Sequence, residues 1–247
     1  MKKGFVQTEN YKRLLEAKAL VDKRGAREAG LVIIKGVYGV GKSELTERWA
    51  ADSNWVFVRA KETWTKRALL DELADKMGLN KSGRNQEVQA RIIGKIAVEM
   101  VPIIVDEADF LVRSTASLLE VLRDITDLTG TTCFLVGMEH FPAKVSKYGH
   151  IASRVASVVE FKPLSLADVA ATVKQKSEVA MDDAVIAEVA TQAKGRMRLV
   201  LNAIANIEGW AQANSWKAVT MAQITGKTVC SQPNLNGVRL GRTLEGA

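Results

Sequence analysis

The chain contains 247 residues, 47% of them hydrophobic, and its 35 Lys and Arg exceed its 28 Asp and Glu to give a formal charge of +7. This composition indicates a globular protein with one large or two small cores, and the positive balance favours a polyanionic partner such as nucleic acid. Only Cys133 and Cys230 are present, far apart and without metal-ligand spacing, which argues against a disulfide framework. Because no stretch approaches about 18 apolar residues and the N-terminus lacks an apolar signal core, we expect a cytoplasmic protein with no membrane partner.

The first predicted elements surround a glycine-rich loop. Residues 5–24 show a helical pattern with Thr8-Glu9-Asn10 as a cap, and residues 31–34 form an apolar run suited to a buried strand. Residues 44–51 follow the loop and are rich in helix formers. The loop fits the spacing G-x-x-x-x-G-K-[ST] and consists of Gly36, Val37, Tyr38, Gly39, Val40, Gly41, Lys42 and Ser43.

This strand, loop and helix predict a phosphate cradle. Small glycines let backbone N–H groups approach an anion, and the helix that follows adds its positive N-terminal end. In such a loop Lys42 reaches the β and γ phosphates and Ser43 holds Mg²⁺. The alternative is a glycine-rich turn with a chance Lys-Ser pair, and the flanking elements argue against it.

The next elements alternate between strand and helix. Residues 55–60 predict a strand, and residues 65–78 and 86–100 predict helices, separated by a polar link at 80–85. Alternation of this kind predicts a parallel α/β sheet.

Residues 102–107 place two acids at the end of an apolar run. A buried strand that ends in Asp106 and Glu107 delivers both carboxylates to the carboxyl edge of the sheet, where ligands bind in open α/β folds. We assign Asp106 to Mg²⁺ through water, and Glu107 to orienting or activating the attacking water. The alternative is an ordinary acidic turn after a strand.

The same residues separate classes of nucleotide-binding protein. A GTPase carries an Asn-Lys-x-Asp motif late in the chain, whereas the nearest match, residues 80–83, lacks the acid and precedes Asp106. In a small-molecule kinase the acceptor substrate is the nucleophile, so a water-directing Glu107 is less needed. Hydrolysis of a nucleotide other than GTP is therefore the better prediction.

Beyond the acidic pair the pattern changes. Residues 114–129 predict a helix, and residues 131–137 and 157–161 predict the fourth and fifth strands. Pro163 marks a boundary, after which we expect no strand. The helices expected beyond it cover 165–179, 183–194, 196–213 and 220–225. We accordingly expect three parts: a nucleotide-binding domain at 1–163, a helical domain at 164–226 and a flexible tail at 227–247.

This succession of motifs resembles the AAA+ ATPases over roughly residues 5–226. The resemblance implies an α/β fold with a P-loop core, a five-stranded parallel sheet flanked by helices, and a small C-terminal helical lid domain. It implies ATP and Mg²⁺ as ligands, bound between subunits. It also adds Thr8 and Glu44 to the nucleotide-binding set.

Two arginines match positions that the family uses at the nucleotide. An arginine after the fourth strand reaches the neighbouring subunit's nucleotide, and Arg154 matches it in position. A second arginine, at the start of a lid helix, senses the γ phosphate; Arg198 is the closer match and Arg196 the alternate. A guanidinium suits both roles because it presents a planar, permanently charged fork to phosphate oxygens. The alternative for each is a solvated or DNA-facing cation.

One position departs from the family pattern. AAA+ proteins usually place a polar sensor at the end of the fourth strand, whereas residues 136–140 here are Val-Gly-Met-Glu-His. We expect Glu139 or His140 to substitute, and the alternatives are slow hydrolysis and a structural His140.

Within the AAA+ proteins, the compact form is most similar to the Mu-type transposition protein B family. The similarity is carried by Thr8-Glu9-Asn10-Tyr11 ahead of the core and by Asp106-Glu107-Ala108-Asp109 after the third strand. It implies a bacterial or phage-infected host cell, largely non-specific double-stranded DNA bound in the ATP state, and self-assembly into a helical oligomer or filament. It also implies a transposase partner that stimulates hydrolysis.

The predicted DNA-facing groups lie between the second and third strands. They are Lys61, Thr63, Lys66, Arg67, Lys81 and Arg84, and the alternative is a solvated basic face. Two other functions remain open: a replication initiator or helicase loader, and a nucleotide switch in signalling or secretion that binds no nucleic acid.

Overall fold

The computed structural model describes residues 1–2, 4–113 and 115–230. The chain forms two compact units, one of Gln7–Leu164 and one that combines Met1–Val6 with the chain from Ser165 onward. The elements of the first unit are α1 (Glu9–Asp22), β1 (Leu31–Gly36), α2 (Lys42–Ser53), β2 (Val56–Arg59), α3 (Lys66–Lys76), α4 (Asn85–Glu99), β3 (Ile103–Asp106), a 3₁₀ helix (Ala108–Val112), α5 (Ser117–Thr129), β4 (Cys133–Val136), α6 (Phe141–Val145), α7 (Gly149–Ala152) and β5 (Val155–Phe161).

A five-stranded sheet with the order β2-β3-β4-β1-β5 forms the centre of the first unit, and its neighbouring strands are all parallel. Every residue of β3 and β4 is buried, as expected for strands that helices cover on both faces. The predicted fold class, a five-stranded parallel sheet flanked by helices, is confirmed.

Side chains of the sheet alternate between two apolar layers. One layer packs against α3 and α4, whose inward positions include Leu69, Leu73, Ile92 and Ile96, all fully buried. The other layer contains an aromatic group in which Trp49 of α2 lies 4.4 Å from Trp55 and 5.1 Å from Phe134 of β4, measured between ring centroids. Both faces of the sheet are thus covered, and its carboxyl edge is left for a site.

The second unit is mainly helical, with α8 (Leu166–Lys176), β6 (Ala180–Met181), α9 (Asp183–Ala193), α10 (Met197–Ala213), β7 (Ala218–Val219) and α11 (Met221–Ile224). Ser165 begins α8 through a capping box, since its hydroxyl accepts from the N–H of Asp168 at 3.1 Å while the carboxylate of Asp168 accepts from the N–H of Ser165 at 3.2 Å. The expectation of no strand after Pro163 is wrong, because β6 and β7 pair in parallel.

The structure describes the predicted tail only as far as residue 230. Residues 227–230 are described, and within them Val229 is fully buried and its N–H donates to Gln192 at 2.8 Å. Residues 231–247, where the rest of the predicted flexible tail falls, lie outside the described residues. No helix in the described ranges is long and apolar enough to cross a membrane.

Candidate nucleotide-binding site

The glycine-rich loop joins the end of β1 to the start of α2. Gly39 and Gly41 have φ values of +81° and +91°, which only glycine adopts without strain. Gly36 is required for a different reason, because a Cβ at this position would lie 2.6 Å from the carbonyl oxygen of Phe161 in β5. Tyr38 is exposed at the rim, and Glu44 is exposed in the first turn of α2. The loop therefore has the backbone conformations that a phosphate-binding loop before a helix N-terminus requires of its glycines.

Lys42 lies beneath this loop and is buried. Its ammonium donates to the carbonyl oxygens of Gly36 at 2.7 Å and Val37 at 2.9 Å, so in this structure the side chain folds back on its own loop. Burial lowers the pKa of Lys42, and the nearby carboxylates, chiefly Asp106 and Glu107, oppose that shift. The lysine is thus a buried group whose present partners are two carbonyl oxygens of its own loop.

Ser43 and Asp106 meet at the carboxyl edge of the sheet. The hydroxyl of Ser43 donates to Oδ1 of Asp106 at 3.1 Å, and the Asp106 residue is only 2% exposed. A hydroxyl and a carboxylate are hard oxygen donors of the kind that Mg²⁺ binds, and a nucleotide's phosphates and water supply its remaining ligands in such sites. The pair that the sequence predicted as metal ligands therefore fits Mg²⁺.

Glu107 follows β3 in a left-handed conformation, with φ of +55°. A non-glycine residue in this region costs free energy and is most often kept where the site needs it. The turn carries Glu107 out of the buried strand to an exposed position one residue beyond Asp106, and its carbonyl accepts the N–H of Phe110 at 3.0 Å. The carboxylate that is predicted to direct water is thus solvent-accessible, next to the predicted metal ligands Ser43 and Asp106.

Asp109 connects the acidic turn to the exit from β4, a role that the sequence analysis missed. Its Oδ2 accepts the N–H of Met138 at 2.7 Å, and its Oδ1 lies 3.0 Å from the ammonium of Lys144 and 3.3 Å from Nε2 of His140. Of the two predicted sensors, His140 therefore contacts Asp109, while Glu139 is exposed and contributes to the electrostatic field at Lys42. The sequence analysis named Asp109 only as part of a family motif, and its partners lie in the segment after β4 and in α6.

Arg59, at the end of β2, is a second residue that the sequence analysis missed. Its Nε donates to Oδ2 of Asp106 at 2.9 Å, and its Nη2 donates to Glu47 at 3.3 Å. The hydrogen bond to Asp106 is the main cause of the raised pKa of Arg59. In the β2–β3 register Arg59 lies directly beside Asp106. The available signal was a charged residue, Arg59, near the end of the predicted strand at 55–60. The partner of Arg59 depends on the order of the strands in the sheet.

Arg154, the predicted finger, lies between α7 and β5. Its Nε donates to Oδ2 of Asp127 on α5 at 3.3 Å, and its Nη1 donates to the hydroxyl of Ser153 at 2.9 Å. Oδ1 of Asp127 is buried and has no hydrogen-bond partner among the residues that the structure describes. Arg154 is thus held by an acid of its own subunit.

The other predicted nucleotide contacts lie on helix termini. Thr8 precedes α1 and is 2% exposed, with its carbonyl accepting from Tyr11 at 3.0 Å. In the second unit, Arg196 precedes α10, and Arg198 is exposed in its first turn. The position of Arg198 at the start of a helix is the one that the resemblance implies.

The predicted DNA-facing residues cluster around α3, but several are engaged locally. Arg67 makes two 2.9 Å hydrogen bonds to Asp71 and donates to the carbonyls of Lys81 and Gly83, so it ties the link after α3 to that helix. The ammonium of Lys81 donates to Asp75 at 2.7 Å.

The remaining members of the set are more exposed. Lys61 lies 3.8 Å from Glu72, while Thr63, Lys66 and Arg84 are exposed. Arg67 and Lys81 thus make short local bonds, which leaves fewer cations for DNA than the sequence predicted.

The chain is similar to known proteins in part of its sequence and in its fold. Residues 24–145 match a family model described as an AAA domain. The ORC2 protein of Aeropyrum pernix, in ADPNP–ADP complexes, is similar with a TM-score of 0.67 and 15% identity, over 90% of this chain and 68% of that chain. Cdc6p from Pyrobaculum aerophilum gives 0.66 and 13% over the same shares. The A. pernix ORC1 protein in complex with DNA gives 0.61 and 17%, over 89% of this chain and 64% of that chain. No curated protein matches the chain.

Proposed function

We propose that this chain, which contains an AAA-type P-loop domain, is a Mg²⁺-dependent ATPase that binds double-stranded DNA in its ATP state and assembles on it. The observation that carries the proposal is the joint placement of three groups at one sheet edge. Lys42 lies under the phosphate loop, and Ser43 bonds to Asp106 at 3.1 Å. The fold likeness to an ORC2 protein in ADPNP–ADP complexes and to an ORC1 protein in complex with DNA supports both ligands.

The chain's own residues divide the chemistry of hydrolysis. The N–H groups of the loop and the ammonium of Lys42 bind the β and γ phosphates, for which Lys42 gives up the carbonyls of Gly36 and Val37. Ser43 and Asp106 would hold Mg²⁺, which would neutralise charge on the phosphate oxygens. Glu107 orients the water that attacks the γ phosphorus; the bond to the β–γ bridging oxygen breaks, and the products are ADP and phosphate.

The proposed assembly on DNA uses Arg154, which in this structure pairs with Asp127 of its own subunit. We propose that this side chain leaves Asp127 and reaches the nucleotide of a neighbouring subunit, so that ATP bound between subunits joins them. Arg198 senses the γ phosphate of its own subunit in this proposal, with Arg196 as the alternate. Thr8 and Glu44 complete the nucleotide-binding set. The proposed parts of the chain are the nucleotide-binding domain at 1–163, of which Met1–Val6 belong to the second compact unit, the lid at 164–226, and the tail at 227–247, of which Val229 is buried.

The finer proposal is that the assembled protein chooses target DNA for a transposase and activates it. Its support is the similarity of the segments around Thr8 and Asp106 to the Mu-type transposition protein B family. A replication initiator or helicase loader shares the same site chemistry, and the fold likeness to ORC2, Cdc6p and ORC1 proteins supports that alternative. Co-purification with a transposase or with a hexameric helicase separates them.

The test of the general proposal is phosphate release from ATP with and without a non-specific DNA duplex. We expect Mg²⁺-dependent release that the duplex stimulates, and none from Lys42→Ala. Release that ignores DNA, together with no DNA binding in any nucleotide state, would instead support the switch in signalling or secretion. Absence of release by the folded wild-type protein under all conditions would reject the ATPase.

A further inference from the structure

Asp106 uses both of its carboxylate oxygens in this structure, and only one of its partners belongs to the expected site. Oδ1 accepts the hydroxyl of Ser43 at 3.1 Å, and Oδ2 accepts Nε of Arg59 at 2.9 Å. The hydroxyl bond is compatible with a metal, because the serine oxygen keeps lone pairs free while it donates its proton. The bond to Arg59 is different, since it places a cation on the second oxygen of a carboxylate that the proposed Mg²⁺ site uses.

Register and burial fix this contact. Arg59 ends β2 and lies beside Asp106 in the parallel pairing, and the carbonyl of Asp106 also accepts the N–H of Ala60 at 2.8 Å. The Asp106 side chain is 3% exposed, whereas that of Arg59 is 51% exposed. The carboxylate is therefore fixed, and the guanidinium is the partner that can leave.

A second acceptor stands ready for Arg59. Nη2 already donates to Oε2 of Glu47 on α2 at 3.3 Å, and the guanidinium carbon lies 5.9 Å from the ring centroid of Phe57, two residues earlier on the same strand face. When Arg59 releases Asp106, its charge remains paired with Glu47. The movement therefore leaves no cation without an acidic partner.

We propose that Arg59 is a positioning residue that occupies Asp106 until Mg²⁺ arrives, and that metal binding shifts it onto Glu47. The inference deepens the proposed ATPase and rests on it. Arg59 fixes the orientation of Asp106 in the metal-free protein, and its positive charge lowers the affinity of the site for a divalent cation. Mg²⁺ alone then competes with Arg59, whereas Mg²⁺ that arrives with the triphosphate is favoured by the added negative charge. The site in this way admits the metal together with its nucleotide.

The test measures the Mg²⁺ concentration that gives half-maximal binding of a fluorescent ATP analogue. Arg59→Gln keeps a hydrogen-bond donor and removes the charge, so we expect the half-saturating Mg²⁺ concentration to fall about 3- to 10-fold. Arg59→Lys keeps the charge and should stay near wild type. The matched control is Arg48→Gln, because Arg48 pairs with Asp52 within the same helix, with both bonds at 3.1 Å, and should change nothing.

A second readout needs no nucleotide. MgCl₂ added to the protein alone should raise the melting temperature of Arg59→Gln more than that of wild type, because the freed carboxylate of Asp106 gains a cation. An unchanged or raised Mg²⁺ requirement in Arg59→Gln, with no extra thermal response to MgCl₂, would overturn the proposal. A wild-type protein that binds no nucleotide contradicts the ATPase instead, and the MgCl₂ response still decides whether Arg59 competes with the metal.

Discussion

The phosphate-loop site and the basic face around α3 hold their charges in different ways. At the site, Lys42 and Asp106 are buried. Lys42 bonds to carbonyls of its own loop, and Asp106 bonds to Ser43 of α2 and Arg59 of β2. On the basic face, formed by Lys61, Thr63, Lys66, Arg67, Lys81 and Arg84, several cations are bonded to acids or carbonyls of their own helix or link. Surface ion pairs contribute little and exchange readily. Buried charges that are hydrogen-bonded within the fold are therefore strong support for a functional site. The number of cations on a surface is weak support for a DNA-binding face.

The largest effect is expected at Arg154. This residue is partly buried and pairs with Asp127, so it is intermediate between the buried site and the basic face. If it completes a neighbour's site, Arg154→Ala should lower DNA-stimulated turnover about 10³-fold while leaving nucleotide binding intact. The measurement is steady-state phosphate release beside nucleotide affinity. An unchanged turnover would show that Arg154 is only the structural partner of Asp127.

Mixing variants sharpens this prediction. Arg154→Ala keeps its own phosphate loop, and Lys42→Ala keeps its own Arg154, so a mixture of the two should regain part of the turnover that each lacks alone. No recovery in the mixture would contradict action between subunits.

Glu107→Gln should lower turnover about 10²-fold, because it removes the carboxylate that orients water, and it should leave ATP binding unchanged. The expected consequence is an assembled protein trapped with ATP on DNA, seen by sedimentation. Glu99→Gln is the control, since Glu99 lies on α4 and pairs with Lys95 at 3.4 Å. Normal turnover by Glu107→Gln removes this residue from the water-directing role.

Lys42→Ala should weaken ATP binding about 10- to 100-fold, the range of one or two hydrogen bonds from a charged donor. Lys35→Ala is the matched control, because Lys35 lies on β1 near the loop and faces Glu160 at 3.8 Å. Equal losses in the two variants, measured by equilibrium titration, would mean that general charge and not the cradle binds the nucleotide.

The parts of the site that the sequence predicted are those with a fixed spacing. Gly39, Gly41, Lys42 and Ser43 form a local unit whose geometry depends on residues a few positions apart, and a buried strand with terminal acids delivers Asp106 to the sheet edge. Contacts between residues that are far apart in the sequence could not be predicted. Arg59 meets Asp106 only because β2 lies beside β3, an order that no local pattern states.

The fold shows the same limit. The long elements were predicted because a helix such as α4 repeats its buried positions at Val88, Ile92 and Ile96. The short helices α6 and α7 and the strands β6 and β7 were missed, since elements of five, four, two and two residues are too short to show a period. Asp109 was likewise missed as a connector because it contacts Met138 and Lys144 from distant segments.

The smallest effects are expected on the basic face. Replacing Lys61 and Lys66 together by Ala should weaken DNA binding a few-fold and make the slope of log K against log salt shallower by about 2, if each contacts one phosphate. ATP binding and the melting temperature should not change. Arg67→Ala should instead destabilise the fold by about 1 kcal/mol, because Arg67 ties the link at Lys81 and Gly83 to α3. DNA affinity equal to wild type in the double variant would remove this face from the DNA contact.

We propose that the nucleotide bound at the phosphate loop controls binding to DNA. The decisive measurement is the fluorescence anisotropy of a labelled non-specific duplex with ATP, with ADP and without nucleotide, across a salt series. We expect tight binding only with ATP and Mg²⁺, with log K falling linearly against log salt by about 0.9 for each phosphate contact. Binding that is equal in all three nucleotide states, or absent in all of them, would contradict it.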